Sequence, residues 1–186
     1  MTDPFRLPEE LEVGGHNYKI RTDFRAILDI LTAYTDPELD GADKTQVLIE
    51  IIYPDFNIIP PDCLEEAVKK AMWFIDAGLP AGDNKPKPVL MDWVKDGPII
   101  IPEINKYLGK EVRSVEYMHW WTFFGAYMQI GGDGLYSQIQ NIRQKKAKNK
   151  RLEKWETEFY RENKALCDLD YEKNQAELEE VKKIFG

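Results

Sequence analysis

The sequence predicts a mainly α-helical chain, a single-domain helical bundle with a small N-terminal β-hairpin and a long charged C-terminal helix. Three observations point there. Apolar residues recur at three- and four-residue spacing through most of the 186 residues. Gly14-Gly15 separates two short alternating runs. No glycine or proline stands between Gly134 and Gly186, so nothing obvious breaks a helix there.

Taken in order, Leu11 and Val13 precede the Gly-Gly turn, and Tyr18 and Ile20 follow it on one side of a strand. Thr22 or Asp23 can cap the next helix, whose Phe24, Ile27, Leu28 and Leu31 keep helical spacing. Asp36-Pro37 ends it. A second helix fits residues 43 to 53, with Val47, Leu48, Ile51 and Ile52 inward. Pro54, Pro60 and Pro61 limit it. Asp62 is placed to cap a third helix, with Glu65 and Glu66 in the first turn, where the dipole favours negative charge. Its apolar face is Leu64, Ala67, Val68, Ala71, Phe74 and Ile75. Residues 78 to 90 form an internal loop rich in glycine and proline. Gly97-Pro98 and Pro102 then predict short helices or turns from 91 to 108, ending at Gly109.

The segment from Tyr117 to Tyr127, YMHWWTFFGAY, concentrates aromatic residues without any acidic residue, lysine or arginine. Ser114 is placed to cap it, and Gly131 to Gly134 close it. Its spacing predicts a central helix buried nearly all round. The sharper alternative makes His119 and the tryptophans a binding or catalytic site. A further helix follows through Leu135, Ile139 and Ile142, with Asp133 as a possible cap.

The last third changes character. Lys145, Lys146, Lys148, Lys150 and Arg151 form a basic run. Beyond it Leu152, Trp155, Phe159, Leu166 and Leu169 make a narrow heptad-like stripe on an otherwise charged surface, the candidate partner surface. The chain therefore divides into a helical domain with its hairpin, residues 1–146, and a C-terminal helical extension, residues 147–186. The extension is either part of the same domain or a partner-binding element.

Acidic residues number 33 against 25 basic ones, for a formal net charge of −8. Such a chain has no general attraction to nucleic acid or anionic membrane. The basic run is read as solvated helix surface, because glutamates follow it closely. No run of about 18 apolar residues offers a membrane span, and the N-terminus lacks the basic-then-apolar order of a signal peptide. Cys63 and Cys167 lie in unrelated contexts, which suits free thiols without excluding a disulfide. His16 and His119 are the two histidines, and no HxxxH or HExxH pattern is present. Gly131-Gly132-Asp133-Gly134 lacks the Lys-Ser/Thr of a phosphate loop and reads as a turn. No catalytic residue, cofactor-binding residue or metal ligand is expected, and no cofactor.

Several of these residues, in this order, resemble a known family. They are Tyr18-Lys19-Ile20, Asp23-Phe24-Arg25, Ala67, Phe74 and Tyr107, then Met118-His119-Trp120-Trp121 with Phe123, and finally Ile139 with Ile142-Arg143 leading into a lysine-rich stretch. The chain resembles small proteins of tailed bacteriophages and prophages encoded between the major tail protein and the tape-measure gene. The resemblance spans roughly residues 10 to 165, and its most specific part is His-Trp-Trp followed by Ile-x-x-Ile-Arg. The middle departs from the family, since Gly97-Pro98 and Pro102 interrupt a stretch where a more continuous helix is expected. The resemblance implies a non-enzymatic tail assembly chaperone in the bacterial host cytoplasm, binding the tape-measure protein and the major tail protein, with homo-oligomers possible. Its family-motif residues are Phe24, Arg25, His119, Trp120, Trp121, Phe123, Ile139 and Arg143. The alternative is a structural tail or neck component that self-assembles and stays in the particle.

Overall fold

Gly14 and Gly15 both take positive φ, 57° and 78°. That is the two-residue turn whose twist suits a hairpin. It joins β1 (Glu10–Val13) to β2 (His16–Lys19) in antiparallel register, with Val13 opposite His16. Leu11 and Val13 point inward and are buried, as the alternation predicts. His16 is exposed beside the turn, its Nδ1 3.1 Å from the Gly14 carbonyl.

The computed structural model describes residues 5–80 and 88–169. After the hairpin eight α-helices follow among the described residues: α1 (Phe24–Thr35), α2 (Gly41–Ile52), α3 (Leu64–Ile75), α4 (Trp93–Leu108), α5 (Trp120–Tyr127), α6 (Leu135–Ala147), α7 (Lys154–Glu162) and α8 (Lys164–Cys167). The mainly α architecture with an N-terminal hairpin is therefore as expected. The chain forms two compact units, and the division falls inside α4. One unit is Met1–Asn84 with Ile104–Gln129, the other Lys85–Glu103 with Ile130–Gly186. Part of the 78–90 loop and the chain beyond Leu169 lie outside the described residues.

The core of the first unit gathers Ile27 and Ile30 of α1, Leu48 and Ile52 of α2, Ala67, Ala71 and Phe74 of α3, and Trp120 and Phe123 of α5. Phe24 stacks on Phe123 with ring centres 4.4 Å apart. Tyr53 is fully buried, and its hydroxyl donates to the Ala67 carbonyl at 2.9 Å. Asp40 caps α2 with a reciprocal bond to Asp43. The Arg21 guanidinium covers the other end, donating to the Glu50 and Ile51 carbonyls.

Several local expectations are corrected. Asp62 does not cap α3: a 3₁₀ turn, Pro61–Cys63, precedes it, and Cys63 occupies the cap position without a side-chain bond. Ser114 does not start the aromatic helix but sits in another 3₁₀ turn, Val112–Ser114. Asp133 does not cap α6, whose cap position is Gly134. In α2 it is Ile49, not Val47, that is buried beside Leu48 and Ile52.

Residues 91 to 108 hold one helix rather than several pieces, despite Pro98 and Pro102 within it. Each proline removes a backbone donor, but packing outweighs that loss. Asp96, Ile100 and Ile104 recur every four residues and are all buried. Gly97 also carries no Cβ to clash with the Pro98 ring. Asp92 caps the start, accepting from the Val94 and Lys95 amides. Gly109, at φ 67°, follows the last turn.

The long C-terminal helix is divided. Asn149 takes φ 50° just past α6. Its amide donates to the Lys146 carbonyl at 2.9 Å, and the Lys150 amide to the Lys145 carbonyl at 2.8 Å. This is the left-handed closure that usually uses glycine, with asparagine in its place. The chain restarts at α7, where Glu153 and Glu156 form a capping box.

Candidate functional site

The His-Trp-Trp segment begins α5 and lies in the first unit. His119 is the cap residue, and its Nδ1 accepts the Trp121 amide at 3.0 Å. A backbone amide can only donate, so Nδ1 carries the lone pair and Nε2 carries the proton. Nε2 then donates to the Pro8 carbonyl at 3.0 Å. Burial pushes the His119 pKa down, against smaller upward pulls from the Pro8 carbonyl and Glu9. A second proton would have to enter at Nδ1, where the Trp121 amide already points. His119 is thus a neutral helix cap with both nitrogens engaged, not a free base or ligand.

The two tryptophans act on another helix end. Trp120 Nε1 donates to the Ile75 carbonyl and Trp121 Nε1 to the Phe74 carbonyl, both at 2.8 Å. The last carbonyls of a helix have no partner within it, and adjacent indoles supply two. α3 then turns away through Ala77 at φ 54° and Gly78 at φ 73°. A Cβ on Gly78 would lie 3.1 Å from the Trp121 ring, so the indole needs glycine there. α5 is only eight residues long, and it is not buried all round: Thr122 and Gly125 face out. Burial follows from the side facing α1 and α3, which leaves the opposite face open.

Phe24 and Arg25, the other motif residues of this unit, complete the joint. Asp23 caps α1 by accepting the Arg25 amide at 3.0 Å, and it also accepts the Met118 amide at 3.2 Å. Phe24 donates its amide to the Met118 carbonyl, and Trp120 donates to the Thr22 carbonyl at 2.7 Å. Arg25 lies over the Phe24 ring, pairs with Asp23 at 3.1 Å and donates to the Val115 carbonyl at 2.6 Å.

In the second unit, Ile139 and Arg143 belong to α6. The Arg143 and Asp96 side chains are only 3% and 1% exposed and meet as a two-pronged pair at 2.6 and 2.8 Å. Arg143 also donates to the Leu90, Leu166 and Cys167 carbonyls. Five donors meet five acceptors, which is how a buried guanidinium is tolerated.

The proposed partner stripe is corrected here. Leu152, Phe159 and Leu166 pack against the buried cluster of Ile139, Ile142 and Cys167, and Leu169 is itself buried. The break at Asn149 turns the chain back after α6, and the one at Asn163 divides the stripe between α7 and α8, so it closes this unit's core. Trp155 alone of the five stays open, at 48% exposed.

The basic run is partly neutralised. Lys145 donates to the buried Glu156 at 2.5 Å, and Asn141 adds 2.7 Å. Burial pushes the Glu156 carboxyl up, but the bonds from Lys145, the Glu153 amide and Asn141 outweigh it and hold it low. Lys146 pairs with Asp168 and Tyr160 and lies 4.3 Å above the Tyr160 ring. Burial opposes its charge, yet the Asp168 and Tyr160 bonds win and raise its pKa, so it stays an ammonium.

Cys63 and Cys167 are free thiols. Among the described residues no group of three metal-type side chains converges, and no helix is long and apolar enough to cross a membrane. The first unit does carry an open groove of about 620 Å³ between α2 and α3, floored by Ile49, Phe56, Leu64 and Val68 and edged by Glu50 and Glu65.

The fold is that of a small helical protein whose conspicuous histidine, tryptophans and arginine are joints between elements. The chain belongs to the Bacteriophage Gp15 protein family, whose pattern it matches over residues 3–169. It is thus a bacteriophage protein. Comparison with curated proteins and with solved structures returned no match.

Proposed function

We propose that this phage protein serves tail morphogenesis as a non-enzymatic assembly chaperone. It binds the tape-measure protein and recruits major tail protein in the host cytoplasm, without a cofactor, and leaves before the particle is complete. The observation that carries this is membership of a bacteriophage family across nearly all the described chain. The gene position between major tail protein and tape measure comes from the residue-level resemblance, centred on His119-Trp120-Trp121 and Ile139 to Arg143. The chemistry of the joints supports it: His119, Arg143, Lys146 and Glu156 are each committed to internal bonds. The open feature is an apolar groove, which suits binding to another protein.

The test is co-purification of the full chain with a tape-measure fragment and with major tail protein. Binding to either, together with absence from finished particles by mass spectrometry, is the expected result. Stoichiometric presence in particles would instead make the protein a structural tail or neck component. Failure to bind either partner would sink the chaperone role.

A further inference from the structure

The apolar stripe of α3 is longer than the surface that covers it. Ala67, Ala71, Phe74 and Ile75 are buried, but Leu64, on the same stripe, is 39% exposed and Val68 only half-buried. These two residues line the groove between α2 and α3. The helical pattern thus builds a continuous apolar face, and the fold covers only its second half.

Open apolar surface backed by the core marks a place where another molecule packs. The lining runs from Ala42 to Glu50 on α2, about 12 Å, and from Leu64 to Val68 on α3, about 6 Å, room for roughly two turns of an added helix. Small-molecule pockets add converging polar groups to their apolar lining. In this groove the more buried lining residues, Ile49, Phe56 and Val68, are apolar and the polar ones, Thr45, Gln46, Glu50 and Glu65, are exposed, the arrangement that receives the apolar face of a helix. The charged side chains that line it are both carboxylates. Glu65 pairs with Lys69 at 2.6 Å. The Glu50 carboxylate accepts from the neutral Gln46 amide at 2.8 Å, while the Arg21 guanidinium is spent on the Glu50 and Ile51 backbone carbonyls.

We infer that this groove docks an amphipathic helix of a partner protein, its apolar residues seated on Ile49, Leu64 and Val68 and a lysine or arginine on its flank reaching Glu50. Only the identity of the protein bringing that helix rests on the tail-assembly role; the recognition chemistry belongs to the groove.

The experiment uses the full chain and a labelled synthetic helix with leucines at i, i+3, i+4 and i+7 and lysines on both flanks, followed by fluorescence anisotropy. A twin peptide carries glutamate at each lysine position. The lysine peptide is expected to bind about tenfold or more tighter than its twin. Leu64→Ser is expected to weaken it about tenfold, and because Leu64 is exposed this variant keeps its fold. Glu50→Lys, also a surface change, should reverse the preference between the twins. Equal binding of both peptides, or binding indifferent to Leu64→Ser and Glu50→Lys, would overturn the inference. So would self-association in sedimentation that Leu64→Ser abolishes, since the occupant would then be a second copy. A tape-measure fragment captured equally by wild type and Leu64→Ser would remove the groove while leaving the chaperone role standing. Peptide binding that follows the groove variants, with no capture of tape measure, would do the reverse.

Discussion

Asp23 and His119 are bridge partners, and each caps the helix that begins at the following residue. The start of α1 and the start of α5 are therefore one joint. The Met118 and Trp120 backbone groups cross it to Phe24 and Thr22, so loosening either cap disturbs the other.

Replacing His119 with Gln removes a bond to Trp121 or to Pro8, since the shorter amide cannot reproduce both geometries. The expected loss is about 1–3 kcal/mol of unfolding free energy, read by urea denaturation. The pH dependence has a definite sign. Burial lowers the folded-state pKa below the ordinary value of 6.5, so the unfolded chain binds more protons between the two values. The contribution is fully present above pH 6.5 and is lost as pH falls through the folded pKa. His119→Gln should lack that component, and identical pH profiles for the two proteins would contradict the neutral-cap assignment.

The Arg143 and Asp96 pair should show strong coupling. Arg143→Met or Asp96→Leu alone leaves a buried charge without its partner and should cost about 3–5 kcal/mol. The double variant should cost clearly less than the sum, because it removes both charges. Additive losses in a double-mutant cycle would refute the pairing.

The C-terminal stripe separates by site. Phe159→Ser should lower unfolding free energy by about 2–4 kcal/mol, since its ring packs on the core of the second unit. Trp155→Ser should change it by no more than about 0.5 kcal/mol. Equal effects in thermal unfolding would mean the stripe is not folded back as described.

Ala77 holds a left-handed conformation that favours glycine. Ala77→Gly should therefore raise stability by about 0.5–1 kcal/mol, after the greater freedom glycine has when unfolded. A lower melting temperature would show that the α3 terminus is not strained.

What could be read from the sequence was local chemistry. The hairpin follows from Gly14-Gly15 and the α1 cap from Asp23, because both act within a few residues. The aromatic segment was legible as core, but its task was not. Trp120 and Trp121 serve carbonyls on α3, and no local pattern tells an indole which helix end it will meet. Asn149 gives no sequence signal of its own, because the left-handed closure it makes usually falls to glycine. Arg143 stood out through the family motif, whereas Asp96 was hidden among the 33 acidic residues. A usable signal existed: Asp96 continues the stripe of Ile100 and Ile104, and a carboxylate in an apolar stripe calls for a buried cation. The α2/α3 groove was invisible, because the spacing that placed Leu64 and Val68 on the apolar face is silent on what covers it.

The acceptors around Arg143 come from three separate stretches: Leu90, Asp96 and the Leu166–Cys167 turn. None of these stretches alone can satisfy the guanidinium. A chain halted before Leu166 would bury donors with nothing to receive them, so a partial second unit has little reason to persist. Assembly of this unit should be all-or-none and should wait for the Leu166–Cys167 turn to arrive. A ribosome still holding that segment would be carrying an unfinished unit, and proteolytic removal of Leu166 and Cys167 should open the whole unit rather than trim it.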